Sequence, residues 1–432
     1  MASIGSGLLV IKSKLSEHIP ESVVLEICRR AGHTWRERVL DPLNTIHLML
    51  LQLLAGVALG RLHHVSKLKV SAAAVCKARK RLPVQVLMEL VARIGGGAAP
   101  PELPLWKNRH RLAVADGTTF TTEDTPELAR TYGKAKNQRS TRPGYPMPKL
   151  LALMDLNSGL IQKVIGLPHA RHEQTVLSRM FALLKAGDLL LGDRGLVSFA
   201  HLALMLQAAL DGCLRLPRSM VVFGRGRGQH HRQARLGRQD WLVRWDRPLR
   251  HTLSWLSYRR WKQLPATLIL RQIAFRLHRP GFRTKWAWVV TTLLCPITYP
   301  AQEIVELYGR RWQIEVSFRD LKQSLRMRKL SARSVEGVKK EILAFVLLYN
   351  LVRLVMAEAA KRQGVAPDRI GFRDALTWLL WSQVGEPLPE LQVNPRRRRP
   401  TEPRVRKHGG YCFPILKHPR QALRKPPAQA IV

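Results

Sequence analysis

Three acidic residues stand where a carboxylate could do chemistry on a phosphate. Asp116 and Asp193 each end an apolar, strand-like run and precede Gly or Arg-Gly, where the backbone can turn sharply. A lone Asp after a strand is more often a turn or helix-capping residue than a ligand. Together with Glu315, however, they form a set that could bind two Mg²⁺ ions, the arrangement used for in-line attack on phosphodiesters.

The stretch around Glu315 adds a phenol and two cations. In a continuous helix turning 100° per residue, Tyr308, Arg311, Glu315 and Lys322 fall in one stripe about 60° wide. The apolar residues of this stretch recur on a separate face. A carboxylate among cations suits metal binding beside phosphates, because the Glu can ligate the ion while Arg and Lys hold the anion.

The charge of the chain indicates a polyanionic partner. Its 432 residues include 72 Lys and Arg against 30 Asp and Glu, which leaves a formal net charge of +42. A polyanion compensates most simply for that much self-repulsion. Nucleic acid is the leading candidate and an anionic membrane surface the second, whereas a small acidic substrate would not need such a charge. The 46% hydrophobic content excludes wholesale disorder.

Cysteine usage and hydropathy indicate a reduced, soluble, cytoplasmic protein. The five cysteines are scattered without the short spacing of a zinc site, so neither a disulfide framework nor structural zinc is expected. The N-terminus lacks the pattern of a signal peptide. The uncharged stretch 43–60 approaches the ~20 residues that span a bilayer. The polar residues within it favour a buried core helix.

The elements that must position the acidic residues follow from composition and periodicity. A helical part is followed by strands alternating with helices, which predicts an α/β fold with functional residues at strand ends. The predicted domains are a helical N-terminal DNA-binding domain (1–100), a core in two parts (105–215 and 300–362), a basic β-rich insertion (216–299) and a helical, basic C-terminal tail (363–432).

Two basic parts of the chain have more than one interpretation. A short helix beginning at Ser71 carries a run of Lys and Arg, and it either enters a DNA groove or is simply a solvated basic helix. Residues 215–285 hold 18 Lys and Arg against 2 Asp and Glu, interleaved with Trp, as a nucleic-acid surface requires. At least half of these Trp side chains are nevertheless expected to pack a small β core.

Two further motifs are weaker. Residues 168–173 offer two His and one Glu at tight spacing, but no third ligand is evident and zinc is not expected there. The Gly-x-Gly-x-Gly run at 224–228 is better interpreted as a flexible basic hairpin tip than as a nucleotide site.

The order Asp116, Asp193, Glu315, with the spacing Tyr308-x2-Arg311-x3-Glu315-x6-Lys322, resembles the DDE transposases of bacterial insertion sequences. It matches the subgroup marked by a Tyr-Arg-Glu-Lys signature. The stretches Ala-Asp-Gly-Thr at Asp116 and Gly-Asp-Arg-Gly at Asp193 are similar to that family's two aspartate motifs. The resemblance covers about residues 30–360 and implies an RNase H-like catalytic core interrupted by the β-rich insertion.

The resemblance also implies an activity. The three carboxylates would hold divalent metal (Mg²⁺ or Mn²⁺), a water would hydrolyse one strand at the end of the mobile element, and the freed 3′-OH would attack target DNA. Tyr308, Arg311 and Lys322 would grip the terminal phosphates. The protein would act as a homodimer on double-stranded DNA, associated with the bacterial nucleoid and without a membrane partner.

Members of this family that excise through a DNA hairpin stack a flipped base on a Trp of the insertion. When the family's spacing between this Trp and the glutamate is counted back from Glu315 without gaps, the expected position is Ala287, between Trp286 and Trp288. Trp288 is slightly preferred over Trp286. Two other functions stay open: a non-catalytic architectural DNA-binding protein, such as a decayed transposase, and a metal-dependent nuclease of the same fold.

Overall fold

The computed structural model of the chain describes residues 5–97, 105–134, 144–223, 230–276 and 286–395. Three sequence predictions lie wholly or partly outside the described residues: a flexible Gly-Pro linker at 95–101, the basic tip at 224–228 and a basic arginine run at 396–399. The described part of the linker prediction is wrong, because Gly95–Gly97 form the last residues of the helix that begins at Val84.

The first part of the chain is helical, as its periodicity predicts. Asp41 caps one helix, its Oδ1 accepting from the Asn44 amide at 2.6 Å, and Ser71 caps another by accepting from Ala74 at 3.2 Å. The sequence also offers Ser16 as a possible helix start, but this residue lies inside the first helix, which runs from Gly5 to His18. The six helices are α1 (Gly5–His18), α2 (Glu21–Arg30), α3 (Pro42–Ala55), α4 (Leu62–Ser66), α5 (Ala72–Arg81) and α6 (Val84–Gly97).

Within the described residues, nine strands form one mixed sheet, so the prediction of an α/β fold is confirmed. Their order is β3-β2-β1-β4-β5-β9-β8-β7-β6. Strands β1, β4 and β5 run parallel, and the other neighbours pair antiparallel. The strands are β1 (Leu112–Thr119), β2 (Lys149–Asp155), β3 (Ile161–Leu167), β4 (Leu189–Gly192), β5 (Asp211–Arg215), β6 (His230–Gly237), β7 (Asp240–Asp246), β8 (Thr267–Arg276) and β9 (Trp286–Thr291).

The segment predicted to be β-rich supplies the last four of these strands. They extend the same sheet from the edge of β5, since β9 pairs with β5 from Cys213–Thr291 to Arg215–Val289. The expectation for its Trp residues is confirmed: Trp245 and Trp261 are buried, and Trp241, Trp255 and Trp288 pack against the core.

Helices cover both faces of the sheet, which is why the central strands are apolar throughout. On one face, a 3₁₀ segment at Glu173–Leu183, in place of the α-helix expected there, and α8 pack on Ala113 and Ala115. On the other face, α6, α10, α11 and α12 pack on Leu112 and Val114. The remaining helices are α7 (Pro126–Tyr132), α8 (Phe199–Gln207), α9 (Tyr258–Lys262), α10 (Ala301–Gly309), α11 (Trp312–Arg319), α12 (Val335–Arg362) and α13 (Phe372–Trp381).

Two apolar helices belong to the core. By length and composition α12 could cross a membrane, but 89% of its most apolar window is buried inside the fold. The stretch predicted as a core helix forms α3, which ends at Gly56 in the left-handed conformation (φ 63°). The chain then bends by 105° before residues 59–66, and most of α3 is buried. Both helices are thus integral to the packed fold.

Candidate active site

Asp116 and Asp193 lie side by side on two parallel strands. The paired residues of β1 and β4 run from Leu112–Leu189 to Ala115–Gly192, so Asp116 is the next residue of β1 and Asp193 the first residue after β4. Neighbouring strands are about 4.8 Å apart, which brings the two aspartates together from 77 residues apart in the chain.

The prediction that Asp116 ends its strand is wrong. Strand β1 continues to Thr119 because its pairing with β2 persists from Asp116–Ala152 to Thr119–Lys149, after β4 has ended. Side chains alternate along a strand, and Leu112 and Val114 face α10–α12. Asp116 therefore faces the same helices.

Gly117 lets the strand pass close to another side chain. A Cβ at this position would lie 2.8 Å from Glu173 Oε1 and 2.9 Å from its Cγ. The Gly117 amide also donates to Asp116 Oδ1 at 2.7 Å. Sequence reasoning missed Glu173 as a neighbour of the site, because only the folded sheet brings the 3₁₀ segment over β1.

The segment containing Glu315 is not one continuous helix, as the stripe calculation assumed. Helix α10 ends at Gly309 and α11 begins at Trp312, while Lys322 lies in a π-helical turn at Asp320–Ser324. Backbone hydrogen bonds between residues i and i−3 make the turn between α10 and α11 tighter than an α-helix. They run from Arg310 N to Leu307 O at 2.9 Å and from Arg311 N to Tyr308 O at 3.0 Å. Rotation per residue is therefore not constant along the motif.

Arg311 nevertheless links the predicted residues. Its Nη1 donates to Asp116 Oδ2 at 2.9 Å and its Nη2 to Glu315 Oε1 at 2.7 Å. The guanidinium carbon also lies 5.9 Å from the centroid of the Tyr308 ring. Charge-assisted bonds of this kind are about twice as strong as neutral ones. Arg311 thus joins β1, α10 and α11 into one site.

The electrostatics of this site favour a second cation. Burial, with smaller contributions from the nearby Asp193 and Glu315 carboxylates, raises the pKa of Asp116 to about 6 against the opposing effects of the Gly117 amide and Arg311. Asp193 Oδ1 is buried and has no hydrogen-bond partner within the described part of the chain. A buried acceptor without a hydrogen-bond partner lowers the stability of a protein by about 1–3 kcal/mol. A bound ligand that contacts this oxygen would remove the penalty.

Tyr308 offers an unused hydroxyl beside these carboxylates. Burial raises the pKa of Tyr308, and the charge of Asp193 acts in the same direction. The phenol is therefore neutral, and its O–H has no acceptor among the described residues. It is free to donate to an incoming anion.

Lys322 lies near the end of β1. Its ammonium is 5.2 Å from the centroid of Phe120, the residue after β1. Burial and the nearby Arg328 lower the pKa of Lys322. The contacts of Arg311 thus connect Tyr308 and Glu315, and they do not include Lys322.

Trp286 and Trp288 face away from the carboxylates. In β9, Val289 packs in the same core as Val114, whereas Val290 packs in the opposite one. The two-residue period therefore places Ala287 on the Asp116 side and both Trp residues on the other. Trp288 lies edge-on to Phe223, with centroids 5.9 Å apart, and Trp286 lies under Arg276 at 5.3 Å.

The carboxylates suit a divalent metal, although Arg311 now holds two of them. Within the described ranges no three His, Cys, Asp or Glu side chains already converge around one ion. The donors are oxygens only, as Mg²⁺ prefers. An added cation would give the unpartnered Asp193 Oδ1 a partner, and its positive charge would lower the raised pKa of Asp116. The chemistry of these residues therefore fits a divalent metal ion.

Comparison with known proteins places the chain among transposases. Residues 107–351 match the family described as "Transposase DDE domain". The chain is 27% identical over 380 residues to the transposase InsG for insertion sequence element IS4 of Escherichia coli (strain K12), covering 82% of this chain and 80% of that protein. The putative transposase InsZ of the same organism is 31% identical over 147 residues, covering 33% of this chain and 47% of InsZ.

One solved structure with a similar arrangement is a piggyBac transposase synaptic complex with hairpin DNA. It aligns with a TM-score of 0.47 at 8% identity and covers 88% of this chain and 80% of that one. The family match spans all three predicted acidic residues, and with InsG it confirms the resemblance to DDE transposases of insertion sequences. The chain therefore belongs to the family of proteins with a transposase DDE domain.

Proposed function

We propose that the chain binds the ends of its mobile element as a homodimer, cleaves DNA with divalent metal and joins the freed 3′-OH ends to target DNA. One observation carries this proposal: Asp116 and Asp193 lie side by side, and Arg311 ties Asp116 to Glu315. Three acidic groups in so basic a chain have no evident structural purpose, which argues against a purely architectural DNA-binding protein.

Each residue has a task that follows from its surroundings. Asp116, Asp193 and Glu315 would hold the metal, Mg²⁺ or Mn²⁺, which supplies Lewis acidity and lowers the pKa of a bound water when present. Arg311, on releasing a carboxylate, can donate from both Nη atoms to phosphate oxygens. The neutral Tyr308 hydroxyl is a further donor, and Lys322 would contact phosphates farther along the DNA.

The finer architecture belongs to the same proposal. The order β3-β2-β1-β4-β5, with β1–β3 antiparallel and β1, β4 and β5 parallel, supports an RNase H-like core. Strands β6–β9 would be the insertion within it, and α1–α6 the DNA-binding domain. A role for Trp286 or Trp288 in base stacking would need the DNA to reach the sheet face opposite Asp116. In the cell, the protein would associate with the nucleoid.

A cleavage and joining assay tests the proposed function. The full chain is incubated with Mg²⁺ or Mn²⁺, a duplex carrying the DNA that flanks its gene, and a target plasmid. We expect strand cleavage and joined products from the wild type. Asp116→Asn, Asp193→Asn and Glu315→Gln should bind the duplex with unchanged affinity and cut at least about 100-fold more slowly.

The other outcomes identify the alternatives. Hydrolysis products without joined DNA would identify a nuclease. Binding without any cutting by the wild type would support an architectural protein. Full cleavage by any of the three variants would refute the assignment of that residue.

A further inference from the structure

The turn that joins β2 to β3 contacts the segment that carries the site residues. Asn157, in this turn, accepts at its Oδ1 a hydrogen bond from Arg310 Nη2 at 2.9 Å. Arg310 lies between α10 and α11 and directly precedes Arg311 in the chain. Both partners are half-buried, and a hydrogen bond from a charged group is about twice as strong as a neutral one. The proposed chemistry assigns no task to this contact.

The turn has a defined shape because its own polar groups are paired. Asp155 is only 3% exposed, and its Oδ1 accepts from the amides of Asn157 at 3.1 Å and Ser158 at 2.8 Å. The same oxygen accepts from the Ser158 hydroxyl at 2.8 Å. Gly159 ends the turn with a φ of 72°, a conformation that glycine adopts without steric cost. The backbone of Asn157 is therefore held in place independently of its side chain.

Helix α12 anchors the same turn to the core. Arg353, which is buried, donates from Nε and Nη2 to Ser158 O at 3.2 and 2.8 Å. Asn350, one helical turn earlier, bonds to both the amide and the carbonyl of Ile161 at the start of β3, at 2.9 and 2.8 Å. Both ends of the turn are thus fixed to the fold, so the turn can serve as a support for another element.

Two adjacent arginines attach the α10–α11 connection, residues 310 and 311, to two places on the sheet. Arg311 donates to Asp116, in the second half of β1, at 2.9 Å. Arg310 contacts Asn157, and the amide that precedes Asn157 donates to the carbonyl of Leu112, the first residue of β1, at 2.9 Å. A connection held at two separate points resists rotation about either one. The Arg310 contact therefore helps to direct Arg311 towards Asp116.

We propose that Asn157 is a positioning residue for the DNA chemistry: by holding Arg310, it keeps Arg311 and Glu315 aligned with Asp116. The proposal rests on the transposase function above and adds to it a residue that acts through Arg310. Loss of the Asn157 side chain should loosen the α10–α11 connection without unfolding the turn, since the backbone contacts of the turn do not involve that side chain.

The first test measures cleavage and binding of the duplex that flanks the gene, with variants of the full chain. Asn157→Ala and Arg310→Ala should each cut saturating duplex at least about tenfold more slowly, because a misplacement of about 1 Å can cost about 100-fold in rate. The double variant should be no slower than either single variant, since partners in one contact are not additive. Asn157→Asp keeps the acceptor oxygen and should stay within about twofold of the wild-type rate. Affinity for the duplex should be unchanged in all four variants.

Gln363→Ala is the matched control. Gln363 follows α12 and also has a half-buried amide, which donates to Leu391 O at 2.9 Å and accepts from Leu391 N at 3.2 Å. Neither bond involves α10 or α11. This variant should lose stability but cut DNA at the wild-type rate. Melting temperatures establish that the control and the Asn157 and Arg310 variants are folded.

The second test measures, without metal or DNA, how strongly Arg311 is coupled to Asp116. Urea unfolding of Arg311→Ala, Asp116→Asn and their combination gives the coupling energy. In an Asn157→Ala background this energy should fall by at least about half, whereas in a Gln363→Ala background it should stay the same. A residue that only stabilised the fold would lower the stability of all the variants equally and leave the coupling unchanged.

Several results would overturn the positioning role. Wild-type cleavage by Asn157→Ala would do so, and so would an Arg311–Asp116 coupling that Asn157→Ala leaves unchanged. Weaker duplex binding by Asn157→Ala would also overturn it, because Asn157 would then act on the DNA itself.

Failure of this proposal differs from failure of the proposed function. If Asp116→Asn abolishes cutting but Asn157→Ala does not slow it, the positioning role is refuted and the transposase assignment stands. If the wild type never cuts DNA but the coupling falls in Asn157→Ala, the catalytic assignment is refuted and the link from Asn157 to Arg311 stands.

Discussion

Arg311 and Asp116 are 195 residues apart in the chain, yet Arg311 Nη1 lies 2.9 Å from Asp116 Oδ2. The same guanidinium contacts Glu315 at 2.7 Å, so one buried cation neutralises part of a site with three carboxylates. Under the proposed function, Arg311 would compensate this negative charge in the absence of metal and would become available to a phosphate once metal is bound.

Replacing Arg311 should destabilise the metal-free protein and make its stability depend on metal. Arg311→Ala leaves two partly buried carboxylates without their cation, and breaking such a buried pair costs about 3–5 kcal/mol. Added Mn²⁺ should recover part of this loss. Urea unfolding with and without Mn²⁺ measures both effects. Arg311→Lys, which keeps the charge but not the two-pronged geometry, should fall between the wild type and Arg311→Ala. A free energy of unfolding unchanged in Arg311→Ala would contradict this role.

The pKa of Asp116 predicts how stability and metal binding depend on pH. Its folded-state pKa of about 6 exceeds the unfolded value of about 3.9. The folded protein therefore holds a proton that the unfolded chain releases, and this group lowers stability as pH rises from about 4 to about 6. Metal binds the ionised form, so stabilisation by Mn²⁺ should grow between pH 5 and pH 7. Thermal melts with and without Mn²⁺ across this pH range test both dependences. Asp116→Asn should abolish the change in stability that accompanies titration of Asp116.

Tyr308→Phe should separate function from stability. Because the buried Tyr308 hydroxyl has no partner in the described structure, its loss should not lower the free energy of unfolding and should raise it by up to about 1–3 kcal/mol. It should slow DNA cleavage about 10-fold or more if the hydroxyl donates to phosphate. Tyr349→Phe is the matched control: that hydroxyl contacts Gly159 O at 3.1 Å and Ser317 Oγ at 2.9 Å, so its loss should cost about 1 kcal/mol. Equal effects of both variants on stability would argue against this account.

Gly117→Ala should strain the strand beside Asp116. The new Cβ would lie within 2.9 Å of the Glu173 side chain, which must move away from β1. We expect a loss of about 1–3 kcal/mol. Adding Glu173→Ala to Gly117→Ala should restore most of the lost stability. A double-mutant cycle would then give an interaction energy above about 0.5 kcal/mol between the two positions. Additive effects of the two substitutions would exclude this contact as the cause.

Local features of the fold are predictable from the sequence, because local chemistry determines them. The caps Asp41 and Ser71, the hairpin of β2 and β3, and the apolar strands before Asp116 and Asp193 all follow from neighbouring residues. The three acidic residues and Arg311 also carry a recognisable spacing.

Other features depend on contacts between distant parts of the chain. The break between α10 and α11 is not evident from the apolar periodicity of residues 301–319, and its one local signal is Gly309, at which α10 ends. That β6–β9 join the main sheet depends on the pairing of β5 with β9, about 80 residues apart. The same pairing decides that Trp288 faces away from Asp116, and no local pattern contains that information.

A Mn²⁺ titration of the protein bound to duplex DNA tests most directly whether Asp116, Asp193 and Glu315 form one metal site. Electron paramagnetic resonance would measure free Mn²⁺ for the wild type, for Asp116→Asn, Asp193→Asn and Glu315→Gln, and for Asp320→Asn as a control. Asp320 is a partly buried acid outside the three-carboxylate set, and desolvation also raises its pKa to about 6. The account predicts at least about a tenfold loss of Mn²⁺ affinity in each of the three variants and wild-type binding in the control. Wild-type Mn²⁺ binding by all three variants would contradict it.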